Sequence, residues 1–539
     1  MDYARNSGRI QRLIHMSLLS MKISRLTFIH SLQLFTVFGI CFADPQSAAA
    51  QKLPEHRYAQ TDSSRYLLSN PMQQERYEHA QQGYAVQLES LMPNKLSITQ
   101  LQFTAINGEL KPYQEAEKQT VGSFRAEGGK KLKNIWFWGK FIYEKQQLDS
   151  IRWGHRKDDE QSSPYFYAAQ RAVHYTRTDY TINTLTGLKV WSPVYIALAT
   201  DYAMGDHYST NDPRAVLKHF KLKLQPSLNL KLSKLSFGIR GTWGYGQQES
   251  QVDYRNKEYY ESTQFPEYLN WLSNGYGTIR TALAFSDRVY TNNQDYRGIG
   301  MEGRYQSEDL LLLGDIGYEK IHEEYDRGNS SGRYDGYDMY GDYDLKQLKG
   351  QFSISHHGQG ILIRASQTKG RDLNVEFSGN NYVYLQQWLG IKVYKDIRLW
   401  NRNTSLWGSV ENSYTSQADG NMMVNRKRGR QITTIAGRHT LTDQLNIELG
   451  IGYSTPHSTE FTYSPKSTNP FIEEVIKSDV NYDKTQYLQC DLGVQYFFRL
   501  ADMKWCVRPQ LNYLQRTNTV PDITGKSRTR ASASLFLYF

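Results

Sequence analysis

The chain closes on TRASASLFLYF, residues 529–539, a stretch that alternates two chemistries with a period of two. In an extended strand Thr529, Ala531, Ala533, Leu535, Leu537 and Phe539 share one side. Arg530, Ser532, Ser534, Phe536 and Tyr538 share the other, with Phe536 as its apolar exception. One side suits hydrocarbon and the other mostly suits water. A soluble protein has little use for a terminal strand ending on an aromatic ring. A transmembrane barrel, in contrast, pairs its last strand with its first and so abolishes every sheet edge.

The same alternation recurs upstream from about residue 98. Phe220, Leu222, Leu224 and Leu228 oppose Lys221, Lys223, Gln225 and Ser227. Leu235, Phe237, Ile239, Trp243 and Tyr245 oppose Lys234, Ser236, Arg240 and Thr242. Similar sets run through 445–453 and 488–498. Counting back from the C-terminus, strands tile at 529–539, 502–516, 485–499, 444–455, 428–438, 399–414, 381–394, 359–370, 345–356, 308–320, 295–306, 233–246, 217–228, 193–204, 165–178, 134–147, 119–128 and 98–107. The predicted fold is all-β: an antiparallel transmembrane barrel of about 18 strands, within a range of 16 to 20, with long extracellular loops and short periplasmic turns. Connectors 500–501, 439–443, 395–398 and 357–358 are short, whereas 456–484, 415–427, 321–344 and 247–294 are long, and the two classes alternate. Two places strain the tiling. Residues 179–192 are long for a periplasmic turn, and 278–290 has the look of another strand but is assigned to a loop to keep parity.

Leu535, Leu537 and the terminal Phe539 resemble the C-terminal assembly signal of bacterial outer-membrane β-barrel proteins. That resemblance implies recognition by the barrel-assembly machinery and residence in the outer membrane of a Gram-negative bacterium. The Asn211-Asp212-Pro213-Arg214 loop between two amphipathic strands, with the Tyr-rich loops, is similar to an uncharacterised barrel family of Gram-negative anaerobes.

The first 43 residues read as a signal peptide whose true start is Met21: Lys22 and Arg25 are basic, Leu26–Phe42 is apolar, and Cys41-Phe42-Ala43 fits cleavage before Asp44. Residues 44–97, polar and without alternation, read as a periplasmic leader that can tuck into the lumen, and 98–539 as the barrel. Among 539 residues there are 40 Tyr, 40 Gly and only 15 Pro, and no stretch reads as an interdomain linker. Cleavage takes five cations and one acid from a net +10, so the remainder stays mildly basic. Cys490 and Cys506 point to opposite faces by parity, which disfavours a disulfide. Aromatics cluster near strand ends, at Trp136, Phe137, Trp138, Tyr394, Tyr453, Tyr496, Tyr513 and Phe539, matching interfacial girdles.

Parity also selects the candidate lumen-lining cations: Lys140, Lys221, Lys223, Arg240, Arg304, Arg364, Lys392, Arg508, Arg528 and Arg530. An excess of positive charge in a water-filled lumen favours polar or anionic solutes. Tyr334, Asp335, Tyr337, Asp338, Tyr340 and Asp342 interleave flat rings with carboxylates and are the candidate binding loop at the cell surface. Arg426, Lys427, Arg428 and Arg430 form a cationic run suited to lipopolysaccharide phosphates. No Gly-rich phosphate loop, zinc spacing, calcium loop or nucleic-acid motif is present. His356-His357 and Asp206-His207 stand without a catalytic third residue, so no enzyme, cofactor, metal or nucleic-acid role is expected. The expected function is a porin-like channel or uptake barrel. The alternative is a structural barrel, its lumen closed by the N-terminal segment, that docks a surface lipoprotein or envelope complex.

Overall fold

Period-two sequences collect apolar side chains on one face only when extended, and each such segment must find backbone partners on both edges. In the computed structural model, which describes residues 70–157, 162–261, 264–283, 285–327, 339–464 and 468–538, eighteen strands meet that demand by closing on one another. They are β1 (Lys95–Asn107), β2 (Lys118–Lys131), β3 (Ile135–Ile151), β4 (Val173–Trp191), β5 (Val194–Ser209) and β6 (Arg214–Leu232). Then follow β7 (Leu235–Asp253), β8 (Val289–Gln306), β9 (Leu310–Arg327), β10 (Met339–His356), β11 (Gln359–Asn374) and β12 (Tyr382–Leu399). The last six are β13 (Arg402–Asp419), β14 (Val424–Thr440), β15 (Leu445–Thr462), β16 (Tyr487–Leu500), β17 (Met503–Arg516) and β18 (Ser527–Tyr538). Every strand pairs antiparallel with its sequence neighbours, and β1 pairs β18 from Ile98↔Tyr538 to Asn107↔Thr529, which closes the barrel.

The connectors sort by end. At one end β2–β3, β4–β5, β6–β7 and the later equivalents are joined by turns of a few residues. His357-Gly358, Trp400-Asn401 and Ala501-Asp502 have positive φ at both central positions, the turn geometry that matches strand twist in a two-residue hairpin. The other end carries the long connections, although residues 210–213 and 420–423 there are short, the latter because the flanking strands extend through most of the loop expected at 415–427. Outward residues are apolar: Leu228, Ile239, Trp243, Ile299, Met301, Ile316, Leu449, Ile451 and Leu492 are exposed while alternate neighbours such as Ser227 and Asn229 are buried. A closed cylinder with an apolar exterior is built for lipid, and this one sits in a Gram-negative outer membrane. Tyr245, Tyr453, Tyr496 and Tyr513 are exposed on the same outer face. Cys490 is exposed and Cys506 buried.

Two further sequence expectations change. The strand expected at 165–178 instead runs Val173–Trp191 and turns at Ser192-Pro193, because Thr184 and Thr186 take outward places while Leu185 points in and is buried. The buried segment Tyr165–Ala168 joins Trp271–Asn274 and Ile279–Thr281 in a separate three-stranded sheet. Residues 278–290 contribute no barrel strand before Val289, in line with their assignment to a loop. Trp136, Trp138 and Tyr394 are not girdle residues: they are buried, facing inward, and only Phe137 of the first group is exposed. The targeting segment, including Met21 and Cys41, and Phe539 lie outside the described residues.

Among the described residues two helices precede β1. Asn70 starts α1 (Pro71–Ala80): its Oδ1 accepts from the Met72 and Gln73 amides at 3.1 and 3.0 Å, and Pro71 supplies a helical φ where no donor is needed. After Gly83 comes α2 (Ala85–Leu91). Between β15 and β16 a π-helical turn, Ile472–Ile476, leads into α3 (Lys477–Asp483).

Candidate functional site

The α1–α2 segment touches strands all round the barrel, which places it inside. Glu75 receives Arg364 of β11 at 2.7 Å and Lys392 of β12 at 2.6 Å. Arg76, 1% exposed, donates from Nε to Ser353 Oγ of β10 at 2.9 Å and from its guanidinium to the Tyr394 hydroxyl of β12. His79 meets Asp315 of β9 at 2.9 Å. Across the bore, Glu127 of β2 accepts from Tyr77, Gln81 and Trp138. The carboxylate of Glu302 on β8 accepts the Val86 and Gln87 amides, both at 3.1 Å, at the start of α2. A carboxylate suits free helix N–H groups, so α2 is fixed by its own terminus.

An apolar patch completes the contact. Tyr77, Ala80, Ala85, Leu88 and Met92 bury against Trp136, Trp138, Leu185, Phe497, Phe536 and Tyr538. The apolar exception on the wet side of the last strand is therefore accounted for: Phe536 and Tyr538 meet the helices inside the bore.

Beyond α1–α2 lies a cavity of about 370 Å³, lined by Gln81, Gln82, Tyr84, Lys140, Asn183, Asp201, Lys223, Gln225, Arg240, Glu319, Gln347 and Lys349. Charges of both signs face it. Lys221 and Lys223 pair with Asp201 at 2.9 and 3.8 Å, and Lys223 reaches Glu319 at 3.3 Å. Lys140 donates to Gln81 at 2.7 Å, and Arg240 donates to the Gln82 carbonyl at 2.6 Å while lying over the Tyr84 ring. Arg508 approaches Glu448 at 3.5 Å, and Arg528 pairs with Glu115 at 2.9 Å. Arg304 has its Nε buried without a hydrogen bond, and Arg530 is exposed. Lys140, Arg240, Arg364 and Lys392 thus hold the inner helices. Glu302 is inward by parity, whereas Glu75, which pairs with Arg364 and Lys392, and Arg76 escaped the sequence reading; the only signal for those two was a polar, non-alternating segment before β1.

The other end is covered by the three-stranded sheet. Its Tyr165 and Tyr167 pack on inward tyrosines of the barrel walls, Tyr290, Tyr325 and Tyr343, with ring centroids 4.7 Å apart for Tyr165–Tyr325 and 5.0 Å for Tyr167–Tyr290. The Asn211–Arg214 loop staples this cap. Asn211 bonds to the His174 amide and the Ala172 carbonyl, and Asp212 accepts the Arg255 and Asn256 amides at 3.0 Å.

Tyr340 and Asp342 lie on β10, not in a loop, and Tyr340 is buried at the tyrosine cluster. Tyr334, Asp335, Tyr337 and Asp338 lie outside the described residues. The cationic run also divides. Arg426 is buried between Asp479 and Asp483 at 3.2 and 2.7 Å, and Arg430 donates to carbonyls of Tyr482, Asp483 and Thr485 at the end of α3. Lys427 pairs with Glu460. Period two sends alternate members inward, so the run serves loop packing more than a phosphate-binding surface.

No curated protein matches the chain. Solved barrels that resemble it include the ferric preacinetobactin receptor BauA of Acinetobacter baumannii, at 6% identity over 83% of this chain and 80% of that one, TM-score 0.37. The ferric-catecholate import receptor Fiu of E. coli K12, in its open form, gives 10% identity, 83% and 82% coverage, and 0.36. The siderophore receptor PiuA of Acinetobacter baumannii gives 9%, 82% and 82%, and 0.36. Identities and scores of this size assign no solute to the present barrel. A family model matches residues 85–539, from the second inner helix through the final strand, and the chain belongs to that family, described as a family of unknown function (DUF6850).

Proposed function

We propose that this protein is a gated uptake barrel for polar solutes, in which residues 70–92 are a plug held in the periplasmic half of the lumen. The observation that carries this reading is the plug's contact set: its ion pairs and hydrogen bonds to nine strands are of a kind water can replace. Eighteen strands enclose a bore wide enough for an aqueous channel once emptied. The cavity beyond the plug is polar and carries both signs of charge, which favours polar or zwitterionic solutes and weakens the case for strict anion selectivity. Insertion through β18 by the barrel-assembly machinery completes the reading.

A second reading, a closed barrel that docks an envelope partner, draws on the plug's apolar patch around Trp138 and Tyr538. Planar-bilayer recording separates the two. The full chain should open rarely, and a barrel lacking residues 70–92 should conduct steadily, with more current when cap residues 264–283 are also trimmed. A doubly trimmed barrel that still shows heat-modifiable gel mobility yet passes no current refutes uptake. A full chain that retains a stable envelope protein and never conducts supports docking.

A further inference from the structure

The strand register brings together three ligand-bearing side chains that are scattered along the sequence. Asp179 of β4 stands opposite Gly205 of β5, and Gly205 stands opposite His219 of β6. His207 follows Gly205 by two positions and therefore shares its face. The His207 and His219 Nε2 atoms each lie 3.4 Å from Asp179 Oδ1, and the three donor atoms fall within 4.8 Å of one another. Both rings are buried, His207 at 1% and His219 at 9% exposure, with centroids 5.4 Å apart. Their Nδ1 atoms are buried without a hydrogen-bond partner among the described residues.

We propose that Asp179, His207 and His219 form a binding site for a divalent transition-metal ion on the lumen wall. Two imidazoles and one carboxylate are borderline donors suited to zinc, iron, cobalt or nickel and less so to calcium or magnesium. An ion about 2.1 Å from each donor in tetrahedral geometry spaces neighbouring donors by about 3.4 Å, the separation seen between each histidine Nε2 and Asp179 Oδ1. Without the ion both Nε2–H groups can donate to Asp179. With it, the Nε2 lone pairs face the metal and each neutral ring carries its proton on Nδ1, so no net proton is released.

Gly205 makes the convergence possible. A Cβ there would stand 2.3 Å from Asp179 Oδ1 and 2.8 Å from His219 Cε1. Three protein ligands leave a coordination position for water or for a donor atom of a passing solute. Positive neighbours oppose the ion: Lys157 from the β3–β4 loop, Arg177 of β4 and Lys221 of β6 all act on the triad electrostatically. With no partner for either Nδ1, the outer shell is weak as well. The site is accordingly an exchangeable one.

The test is zinc and cobalt binding to the full chain, purified in detergent and stripped with chelator. Bound metal is read by elemental analysis after gel filtration, and the cobalt complex by its visible absorption. Wild type should take one equivalent at this site, and His207→Ala with His219→Ala should lose it. Asp179→Asn, which keeps the shape, should weaken binding by about tenfold or more, and Gly205→Ala should weaken it with every ligand retained. Lys157→Ala should tighten it. His322→Ala, in a separate more exposed group with Glu324 and Asp342, should leave the triad's equivalent in place. Heat-modifiable gel mobility checks that each variant is folded. A wild-type barrel that takes no metal, or a folded double variant that binds as wild type does, overturns the proposal.

Discussion

Replacing Glu75 by Gln should loosen the plug by an amount the structure sets. The carboxylate accepts from Arg364 Nη1 at 2.7 Å and Lys392 Nζ at 2.6 Å, and all three side chains are about a quarter exposed. A hydrogen bond to a charged group contributes about 1.5–3 kcal/mol net when buried, and solvent screening at this exposure cuts each to about 1 kcal/mol. The amide keeps one acceptor oxygen but turns an NH₂ toward a cation, so both interactions are weakened together. The expected loss is about 2 kcal/mol, or about 30-fold in the ratio of seated to unseated plug. Amide hydrogen exchange is the assay, because the amides of α1 and α2 exchange only when their hydrogen bonds open. Exchange across residues 71–91 should rise about 30-fold in Glu75→Gln, while Tyr165–Ala168 and Trp271–Asn274 in the cap stay as in wild type. Unchanged exchange in the plug, or an equal rise in plug and cap, refutes the view that Glu75 holds an independent gate.

Three further outcomes follow from other parts of the fold. Arg426→Met strands the carboxylates of Asp479 and Asp483 in a buried site, a loss of about 3–5 kcal/mol; proteolysis should then cut within 472–483 while the barrel keeps its gel mobility. Asp212→Ala frees the Arg255 and Asn256 amides at a cost of about 1–3 kcal/mol, and limited proteolysis should speed up within 254–288. Burial pushes the His155 imidazole in the β3–β4 loop down to about 3, so the folded loop refuses a proton that the opened loop accepts. Closure should be at full strength above about pH 6.5 and weaken steadily as pH falls toward 3. Exchange of the 152–157 amides, corrected for its intrinsic pH dependence, should show that slope, and His155→Phe should remove it.

What the sequence exposes depends on whether a residue answers to lipid or to a distant partner. Leu235, Phe237, Ile239, Trp243 and Tyr245 alternate because hydrocarbon alone decides their side, and their strand was legible. Residues 179–191 were not, since Thr184 and Thr186 face out and Leu185 faces in toward the plug. Trp136, Trp138 and Tyr394 sit near strand ends like girdle residues, yet parity with exposed Phe137 sends the two tryptophans inward to the helices. Lys392 and Arg364 were legible as cations on inward positions. Their partner was not, because Glu75 lies about three hundred residues away on a segment with no alternation. The Asp179, His207 and His219 group escaped for the same reason: only the hairpin registers of β4, β5 and β6 align them.

The two closures differ in chemistry, and the difference sets which one yields first. The cap stands on Tyr165, Tyr167, Tyr290, Tyr325 and Tyr343 with Val252 and Leu272, all buried. Parting those rings exposes apolar surface at about 25 cal/mol per Å², a loss that remains even when water takes over the hydrogen bonds of their hydroxyls. The plug is seated in large part by Glu75, Arg76, His79 and Glu302, whose bonds water can take over when the helices shift. Its apolar patch, Tyr77, Leu88 and Met92 with two alanines against the barrel wall, is the part that water cannot replace. A solute path through this barrel is therefore expected to open from the plug side, with the cap following only if its loops are pulled from Asn211 and Asp212. Plug amides that exchange more slowly than those of the cap sheet in the wild-type protein would reverse that order.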